Sequence, residues 1–498
     1  MSNALPSTWA IVSLLDVAPL VPTGVPNFTG EVEYYSTGSV QEGGLSSEGR
    51  YTFESRPSRA NRWTKPGDVL QARMQGTSKP LLVHASIADK LFSTGFIQLR
   101  PDPRFCNPGF LRHYIASKVF LDDRDSLATG STQIALTDAG VRGLEIPLAP
   151  LNEQRRIVAK LEKLLAKVDA CQHRLGKIPV LLKRFRQSVL AAACSGRLTV
   201  DWREKNSSDE SVDAILGNIK KRRLQQADTA SRKQKIDEIH SYQEKGEHDL
   251  LPENWRYLSL DKLCESFHYG TSVKSQSSGK VPVLRMGNIQ NGEIDWTDLV
   301  YTSDYEEIKK YKLNPGDVLF NRTNSPELVG KSGIYRGEHP AIFAGYLIKI
   351  NNFEELDSRY LNYCLNTTYA REYCMKVKTD GVSQSNINAQ KLAKFEIPFC
   401  PIKEQQEIVR RVETVFNLAD TIEKRVAAAS LRAEKLTQAI LAKAFRGELV
   451  PTEAELARRE GRSYETASAI LARIKAEHKA KEDWQKRKSK ISKREIKH

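Results

Sequence analysis

Two short segments carry residue types that bind phosphate or a methyl-group donor in other proteins, and neither has the complete pattern. Gly330, Lys331 and Ser332 match the end of a phosphate-binding loop, but the glycine required five residues before Gly330 is Ser325, so the loop amides cannot wrap a phosphate. Residues 107–110, Asn-Pro-Gly-Phe, lack the second proline of the Asn-Pro-Pro-aromatic signature of amino methyltransferases. The seven cysteines include no Cys-x-x-Cys pair, which excludes the usual zinc spacing. We therefore predict no catalytic, metal or cofactor site in this chain.

Another group of polar residues has the chemistry of base recognition. Arg322 and Asn324 follow the sequence Pro-Gly-Asp-Val-Leu, and Arg73 and Gln75 follow its earlier copy. Arginine can bond a guanine edge with two hydrogen bonds, and asparagine or glutamine an adenine edge. The loops Gly-Ser-Thr-Gln and Gly-Val-Ser-Gln add Thr132, Gln133, Ser383 and Gln384. We predict that these residues bind DNA; ordinary surface positions or phosphate contacts are the alternative.

The charge of the chain supports a polyanionic partner. The formal net charge is +15 and the isoelectric point is near 9.3, which favours nucleic acid over neutral partners; a solvated basic surface is the alternative. There is no run of 18 apolar residues and no signal-peptide pattern, so we expect neither a membrane span nor secretion. The irregular cysteine spacing fits a reducing cytoplasm.

The segments that position these residues form an internal repeat, present twice in the sequence. Residues 146–154 return as residues 397–405, an offset of 251, and the similarity continues without a gap through the following stretch. The sequences Leu-Pro-x-x-Trp, Pro-Gly-Asp-Val-Leu, Gly-x-x-Gln and, at 214–216, Ala-Ile-Leu also recur in order, with offsets between 246 and 255. The protein is therefore a duplicated unit in which one part diverges between copies and the other stays similar.

This repeat predicts a division of the chain into variable domains, helical spacers and charged segments. The variable domains are residues 1–146 and 251–396, the spacers are 147–200 and 397–450, a charged linker with a short helix occupies 201–250, and a charged, basic tail occupies 451–498. Ile215, Ile219, Ile470 and Ile474 can pack a short helix in the linker and in the tail. The basic run 486–490 either contacts phosphates or is solvated.

Each spacer has the heptad pattern of a coiled-coil helix, in which apolar residues alternate in steps of four and three. The predicted seam positions are Ile157, Leu161, Leu164, Val168, Cys171 and Leu175 in the first copy, and Ile408, Val412, Val415, Ala419, Ile422 and Val426 in the second. A two-fold relation would make the pair antiparallel; two independent amphipathic helices are the alternative. We expect Asn152 to cap the first helix, Gly196 and Gly447 to end the helices, and Gly176 and Pro179 to break or kink the first near 176–179.

The variable domains are predicted to be mixed α/β. Residues 281–286 and 345–350 have the composition of strands, and residues 359–365 that of a short helix. The predicted fold class is α+β, with two mixed domains separated by a long antiparallel helical coiled coil and related by internal duplication. Two DNA-binding domains held apart by a rigid coiled coil would suit a DNA target in two parts, separated by base pairs that neither domain contacts.

The ordered motifs resemble those of the specificity subunit of type I restriction-modification systems: Leu-Pro-x-x-Trp, Pro-Gly-Asp-Val-Leu, Ile-Pro-x-x-Pro-x-x-Glu-Gln and Gly-x-Leu, each present twice. The resemblance covers nearly the whole chain. It implies that each variable domain is a target recognition domain and that the helices dock two methyltransferase subunits. It also implies two ATP-dependent restriction-translocase subunits. S-adenosylmethionine, ATP and magnesium are then used by those partners, and this chain needs no cofactor.

We therefore expect a non-catalytic subunit that reads an asymmetric, two-part DNA target and directs its partners there. Two other functions stay open from the residues alone. A stand-alone methyltransferase with a degenerate motif would transfer methyl groups by itself. A DNA-binding scaffold or regulator would feed no enzyme, and neighbouring genes for a methyltransferase and a translocase would argue against it.

Overall fold

The computed structural model describes residues 5–41, 44–130, 133–206, 210–243, 250–381, 384–477 and 479–480. The chain divides into two compact units, the first made of Met1–Gly176 with Ala427–His498 and the second of Lys177–Val426. The boundary falls inside both long helices, so each unit contains one variable domain and part of each spacer. No helix in these residues is both long and apolar enough to cross a membrane.

The first variable domain is built from short strands and four helices. The strands are Ala10–Ser13, Val32–Tyr35, Val40–Gln41, Gly44–Leu45, Gly49–Tyr51, Arg62–Trp63, Val69–Ala72, Leu81–Leu82, Leu91–Phe92, Phe96–Leu99 and Glu145–Leu148. The helices are Leu14–Val17, Pro108–Ile115, Lys118–Ser126 and Asp138–Val141, with a 3-10 turn at Ala85–Ile87. The first and last strands pair antiparallel, Ala10 opposite Leu148, so the domain begins and ends beside the first spacer.

The second variable domain has the same beginning and end but a larger sheet. Its strands are Arg256–Ser259, Cys264–Tyr269, Val281–Leu284, Ile289–Gln290, Gly292–Ile294, Val300–Thr302, Val318–Asn321, Thr323–Asn324, Ser332–Ile334, Ile342–Phe343, Leu347–Asn352, Thr379–Asp380, Ser385–Asn386 and Glu396–Phe399. Its helices are Leu260–Leu263, Tyr305–Lys310, Ser358–Leu365, Thr368–Val377 and Ala389–Ala393, with a 3-10 turn at Met286–Asn288. A six-stranded sheet has Val318–Asn321 near its centre. The helix predicted at 359–365 and the α+β class are confirmed; the strand predicted at 281–286 ends at Leu284, before the 3-10 turn, and the one predicted at 345–350 begins at Leu347.

The two spacers form long helices of 44 residues each, Leu151–Cys194 and Ile402–Phe445. The first begins one residue before Asn152, so the prediction that Asn152 caps it is wrong and Asn152 lies in its first turn. Gly196 and Gly447 end the helices as predicted, with φ of 73° and 75°, a left-handed conformation that favours glycine.

Of the two outcomes predicted near 176–179, the break is wrong, because the first helix continues through Pro179; the kink stays a prediction. Proline removes only one amide donor from the helical ladder, and its ring disturbs one carbonyl of the preceding turn. Pro179 and its neighbours Val180 and Leu181 are exposed, so water can bond the carbonyl that proline leaves without a helical donor.

Within each unit, parts of the two long helices run antiparallel and share a core. In the first unit Ile157 and Leu161 lie in one core with Leu441 and Phe445. The corresponding core residues of the second unit are Leu190 and Ala193 from the first helix and Ile408 and Val412 from the second. Towards the helix centres the seam positions are less buried: Val168 is 7% exposed and Ile422 is 36% exposed, and Leu164 and Val415 are half-buried.

Short helices follow each long helix and close a core. In the linker they are Val200–Arg203, Val212–Gln226 and Ala230–Ser241, and after the second long helix they are Glu453–Glu460 and residues 467–477. Ile215 and Ile219 belong to the core of the second unit, and Ile470 and Ile474 to that of the first. The predicted packing of these isoleucines is confirmed. The basic run 486–490 lies outside the described residues.

The repeated Leu-Pro-x-x-Trp motif attaches each variable domain to its spacer. The indole Nε1 of Trp9 donates to the buried Glu153 carboxylate at 2.8 Å, and that of Trp255 donates to the buried Glu404 carboxylate at 2.9 Å. These glutamates are the Glu of each Pro-x-x-Glu-Gln sequence, so the recurrence of both motifs has one structural cause.

The proline of the same motif packs against the glycine that ends a long helix. A Cβ atom on Gly447 would lie 2.4 Å from Cγ of Pro6, and one on Gly196 would lie 2.5 Å from Cγ of Pro252. Each variable domain therefore contacts the start of the spacer that follows it in sequence and the end of the other one.

Candidate nucleic-acid interface

In the first unit, the residues predicted to read DNA lie on adjacent backbone segments. The amide of Gln75 donates to the carbonyl of Ile134 at 3.0 Å, and that of Leu136 donates to the carbonyl of Arg73 at 2.9 Å. Thr129 pairs antiparallel with Ala135; the described residues 129–130 and 133–135 are here called the first hairpin. Gln75 and Gln133 are both exposed, so each amide side chain is accessible to a partner.

The second unit repeats this arrangement. The strand Thr323–Asn324 pairs with Ser385–Asn386, and the latter pairs with Thr379–Asp380; the described residues 379–381 and 384–386 are here called the second hairpin. Asn324 is half-buried and Gln384 is exposed. Thr132 and Ser383, also predicted to bind DNA, lie outside the described residues.

The two predicted arginines bond mainly to the protein itself. Arg73 donates from Nε to the carbonyl of Phe96 at 3.2 Å and from Nη1 to that of Leu136 at 2.9 Å, and it forms an ion pair with Asp138. Its side chain is 14% exposed. Arg73 therefore fixes the first hairpin against the sheet.

Arg322 holds the second hairpin in the same manner. Its Nη1 donates to the carbonyl of Gly345 and its Nη2 to Oδ1 of Asn386, both at 3.3 Å. The guanidinium carbon lies 4.7 Å from the centroid of the Tyr269 ring. In both repeats the arginine thus joins a sheet strand to the end of the hairpin. Each hairpin carries an exposed glutamine, Gln133 in the first and Gln384 in the second.

A cleft beside Arg322 contains residues that the sequence did not single out. It has a volume of about 800 Å³ and is lined by Tyr269, Val273, Lys274, Arg285 and Tyr346 among others. Tyr269 and Lys274 lie some fifty positions from Arg322 in the chain, and no recurring motif marks them. The only sequence signal for a basic cleft of this kind is the net charge of +15 of the whole chain.

The two incomplete motifs, at residues 107–110 and 330–332, have structural roles. Asn107 caps the helix Pro108–Ile115, its Oδ1 accepting from the amides of Gly109 at 2.8 Å and Phe110 at 3.2 Å. Ser332 begins a strand rather than a helix, and burial, with the nearby Arg371 and Lys183, lowers the pKa of Lys331. Among the described residues, no group of three or more His, Cys, Asp or Glu side chains could hold a metal ion.

The comparison with known protein families finds a match to the type I restriction modification DNA specificity domain. It matches twice, at residues 6–179 and 252–429. These stretches follow the repeat seen in the sequence and include the start of each long helix. They cover more than half of the chain.

Known relatives agree with this match. The type I restriction enzyme EcoKI specificity subunit of Escherichia coli K12 is 32% identical over 391 residues, which are 77% of this chain and 74% of the relative. A solved structure, described as the structural basis underlying complex assembly and conformational transition of the type I R-M system, has a TM-score of 0.67 at 22% identity and covers 89% of this chain and 99% of its own.

The HsdS subunit of Thermoanaerobacter tengcongensis has a TM-score of 0.51 at 23% identity, with 89% and 98% of the two chains covered. At these identities the solved structures support the fold, and the family model and the Escherichia coli relative support the family. The chain belongs to the type I restriction-modification DNA specificity family.

Proposed function

We propose that this chain is the DNA-recognition subunit of a type I restriction-modification complex, reading an asymmetric target in two parts. The observation that carries the proposal is the duplicated construction: in each unit an internally bonded arginine joins a sheet to a hairpin that carries an exposed glutamine, Gln133 in the first and Gln384 in the second. The side chains presented differ between the units, Gln75 in one and Asn324 in the other. Two readers of different chemistry favour two different half-targets.

The proposed base contacts are Gln75, Thr132 and Gln133 for one half of the target and Asn324, Ser383 and Gln384 for the other. Amide side chains can accept from and donate to an adenine edge at once. Arg73 and Arg322 belong to the same surfaces. Because their guanidinium groups bond to carbonyls of the protein, we assign them first to positioning the hairpins, with any remaining donor available to DNA.

The proposed partners are two methyltransferase subunits and two restriction-translocase subunits. The relative from Escherichia coli is the specificity subunit of a type I restriction enzyme, and this chain carries two copies of each spacer motif. A duplicated docking surface favours two copies of each partner. S-adenosylmethionine, ATP and magnesium belong to those partners in this proposal.

The stoichiometry can be measured directly. Purified chain is titrated with the methyltransferase subunit of its system, and the mass of the complex is determined by light scattering during size-exclusion chromatography. We expect one chain with two methyltransferase subunits, weak DNA binding by the chain alone, and methylation only by the complex. A stable one-to-one complex at excess methyltransferase would contradict a duplicated docking surface, and methylation by the chain alone would contradict the division of labour.

A further inference from the structure

Hydrogen bonds hold together two of the segments that line the cleft beside Arg322, residues 269–275 and 344–346. The amide of Thr271 donates to the carbonyl of Phe343 at 2.9 Å, and the amide of Gly345 donates to the carbonyl of Thr271 at 2.7 Å. The amide of Val273 donates to the hydroxyl of Thr271 at 3.0 Å. The loop that follows strand Cys264–Tyr269 is therefore fixed against the start of strand Leu347–Asn352.

The ionisable side chains that line this cleft favour an anion. The cations are Lys274, Arg285 and Arg322, and none of the described lining residues is a carboxylate. Arg285 also bonds Asp298, at 3.2 Å, but that residue lies outside the lining. A second cleft of the same unit, of about 600 Å³, differs because carboxylates such as Glu293 and Glu413 line it. The sign of the charge thus distinguishes the two clefts.

The rim of the cleft carries unusually exposed apolar and aromatic side chains. Val273 is 52% exposed, Tyr346 is 47% exposed and Tyr269 is 42% exposed. Single exposed apolar residues are common, but several around one basic cleft indicate a binding surface. An apolar side chain can contact the thymine methyl group in the major groove, and lysine and arginine can neutralise phosphates. The combination fits double-stranded DNA.

We propose that this cleft is the DNA-reading surface of the second unit, an inference that rests on the proposed function and adds residues to it. Val273 and Tyr346 contact base edges of the second half-target. Lys274 and Arg285 contact the phosphates beside it. Tyr269 and Arg322 are positioning residues: the ring supports the guanidinium at 4.7 Å, and the Tyr269 hydroxyl accepts from the amide of Ala389 at 2.9 Å.

The phosphate contacts are tested by the salt dependence of DNA binding, measured with the full chain assembled with its methyltransferase subunits. Lys274→Ala should weaken binding about tenfold on target and non-target duplexes alike and reduce the slope of log affinity against log salt by about one. Lys376→Ala is the matched control, because Lys376 is exposed but does not line the cleft. An unchanged slope for Lys274→Ala would overturn its role.

The base contacts are tested by methylating a library of plasmids with randomised sites and sequencing the methylated positions. Val273→Ala and Tyr346→Ala should each relax the preference at one or more positions of a single half-target, by about fivefold or more. That half should be the one that changes when residues 251–396 are exchanged. The other half should stay as in the wild type.

The outcomes separate this inference from the proposed function. If the wild-type complex methylates no two-part site, the proposed function fails. If the wild type does so and both variants keep its preferences in both halves, only the cleft is wrongly assigned. Val273 and Tyr346 are exposed, so their replacement leaves the core intact, and near-ultraviolet circular dichroism of each variant checks this.

Discussion

At the scale of single residues, Glu153 and Glu404 do the same work in the two copies of the repeat. Each is buried at the start of a long helix and accepts from a tryptophan indole. Each also bonds the segment that closes its unit: Glu153 accepts from the amide of Glu453 at 2.8 Å, and Glu404 accepts from the hydroxyl of Thr199 at 2.7 Å. One carboxylate thus links three parts of each unit.

Replacing this carboxylate should therefore destabilise the folded chain. Glu404→Ala leaves the indole of Trp255 and the hydroxyl of Thr199 without this acceptor and removes the ion pair with Arg203, which should lower the free energy of unfolding by about 2–4 kcal/mol. The measurement is urea denaturation followed by tryptophan fluorescence. Glu372→Ala, at an exposed helical position, should change stability by less than about 0.5 kcal/mol. Equal effects would contradict the linking role.

Glu407 gives a prediction about pH. Hydrogen bonds from Arg410, and then from Arg411, lower the pKa of Glu407 to about 2 against the effect of burial. A carboxylate whose folded pKa is depressed stabilises the fold above its unfolded pKa, about 4.5 here, and loses that contribution as the pH falls towards 2. Glu407→Gln should therefore destabilise the chain at pH 7, with a difference from wild type that shrinks below pH 4.5. Urea denaturation at several pH values measures it; a constant difference down to pH 3 would refute the assignment.

The candidate site could be predicted only in part at this scale. The exposure of Gln75, Gln133 and Gln384 agrees with the chemistry expected of them. The bonds of Arg73 and Arg322 could not be predicted, because their acceptors, backbone carbonyls together with the side chains of Asp138 and Asn386, belong to distant segments. The cleft could not be predicted for the same reason. Folding brings Lys274 close to Arg322, whereas a sequence motif contains only residues that are neighbours in the chain.

At the scale of elements, the long helices were the most predictable part of the fold. Their heptad pattern repeats over many turns, and the glycine after each helix has the backbone conformation that this residue favours. The short strands of the variable domains gave weaker signals, since many have two to four residues. The break, one of the two outcomes expected near Pro179, does not occur, because a helix of 44 residues tolerates one missing hydrogen bond.

The helix should consequently gain stability when this proline is removed. Pro179→Ala restores an amide donor inside an otherwise continuous helix and should raise the free energy of unfolding by about 1–3 kcal/mol. Ser430→Ala, at the equivalent position of the second helix, should change it by only a few tenths of a kcal/mol. Urea denaturation followed by far-ultraviolet circular dichroism compares the two. A loss of stability in Pro179→Ala would mean that the helix geometry requires proline there.

At the scale of the whole molecule, the repeat and the compact units divide the chain at different places. The repeat predicts boundaries at 146 and 396, whereas each compact unit takes part of both helices. A sequence repeat shows which segments are similar, but it does not show which variable domain each helix or tail segment packs against. The tail residues Ile470 and Ile474, for example, complete the core of the unit that contains the first variable domain, which their place in the sequence does not indicate.

The most direct test of the account exchanges one reader and maps the methylated sites. Residues 251–396 are replaced by the corresponding domain of another member of the family, the variant is assembled with the methyltransferase subunits, and methylated positions are sequenced in genomic DNA. We predict that one half of the target changes and the other half stays, and that exchanging residues 1–146 has the reciprocal effect. If either exchange changes both halves, or neither, the two domains are not independent readers and the proposed function in this form is wrong.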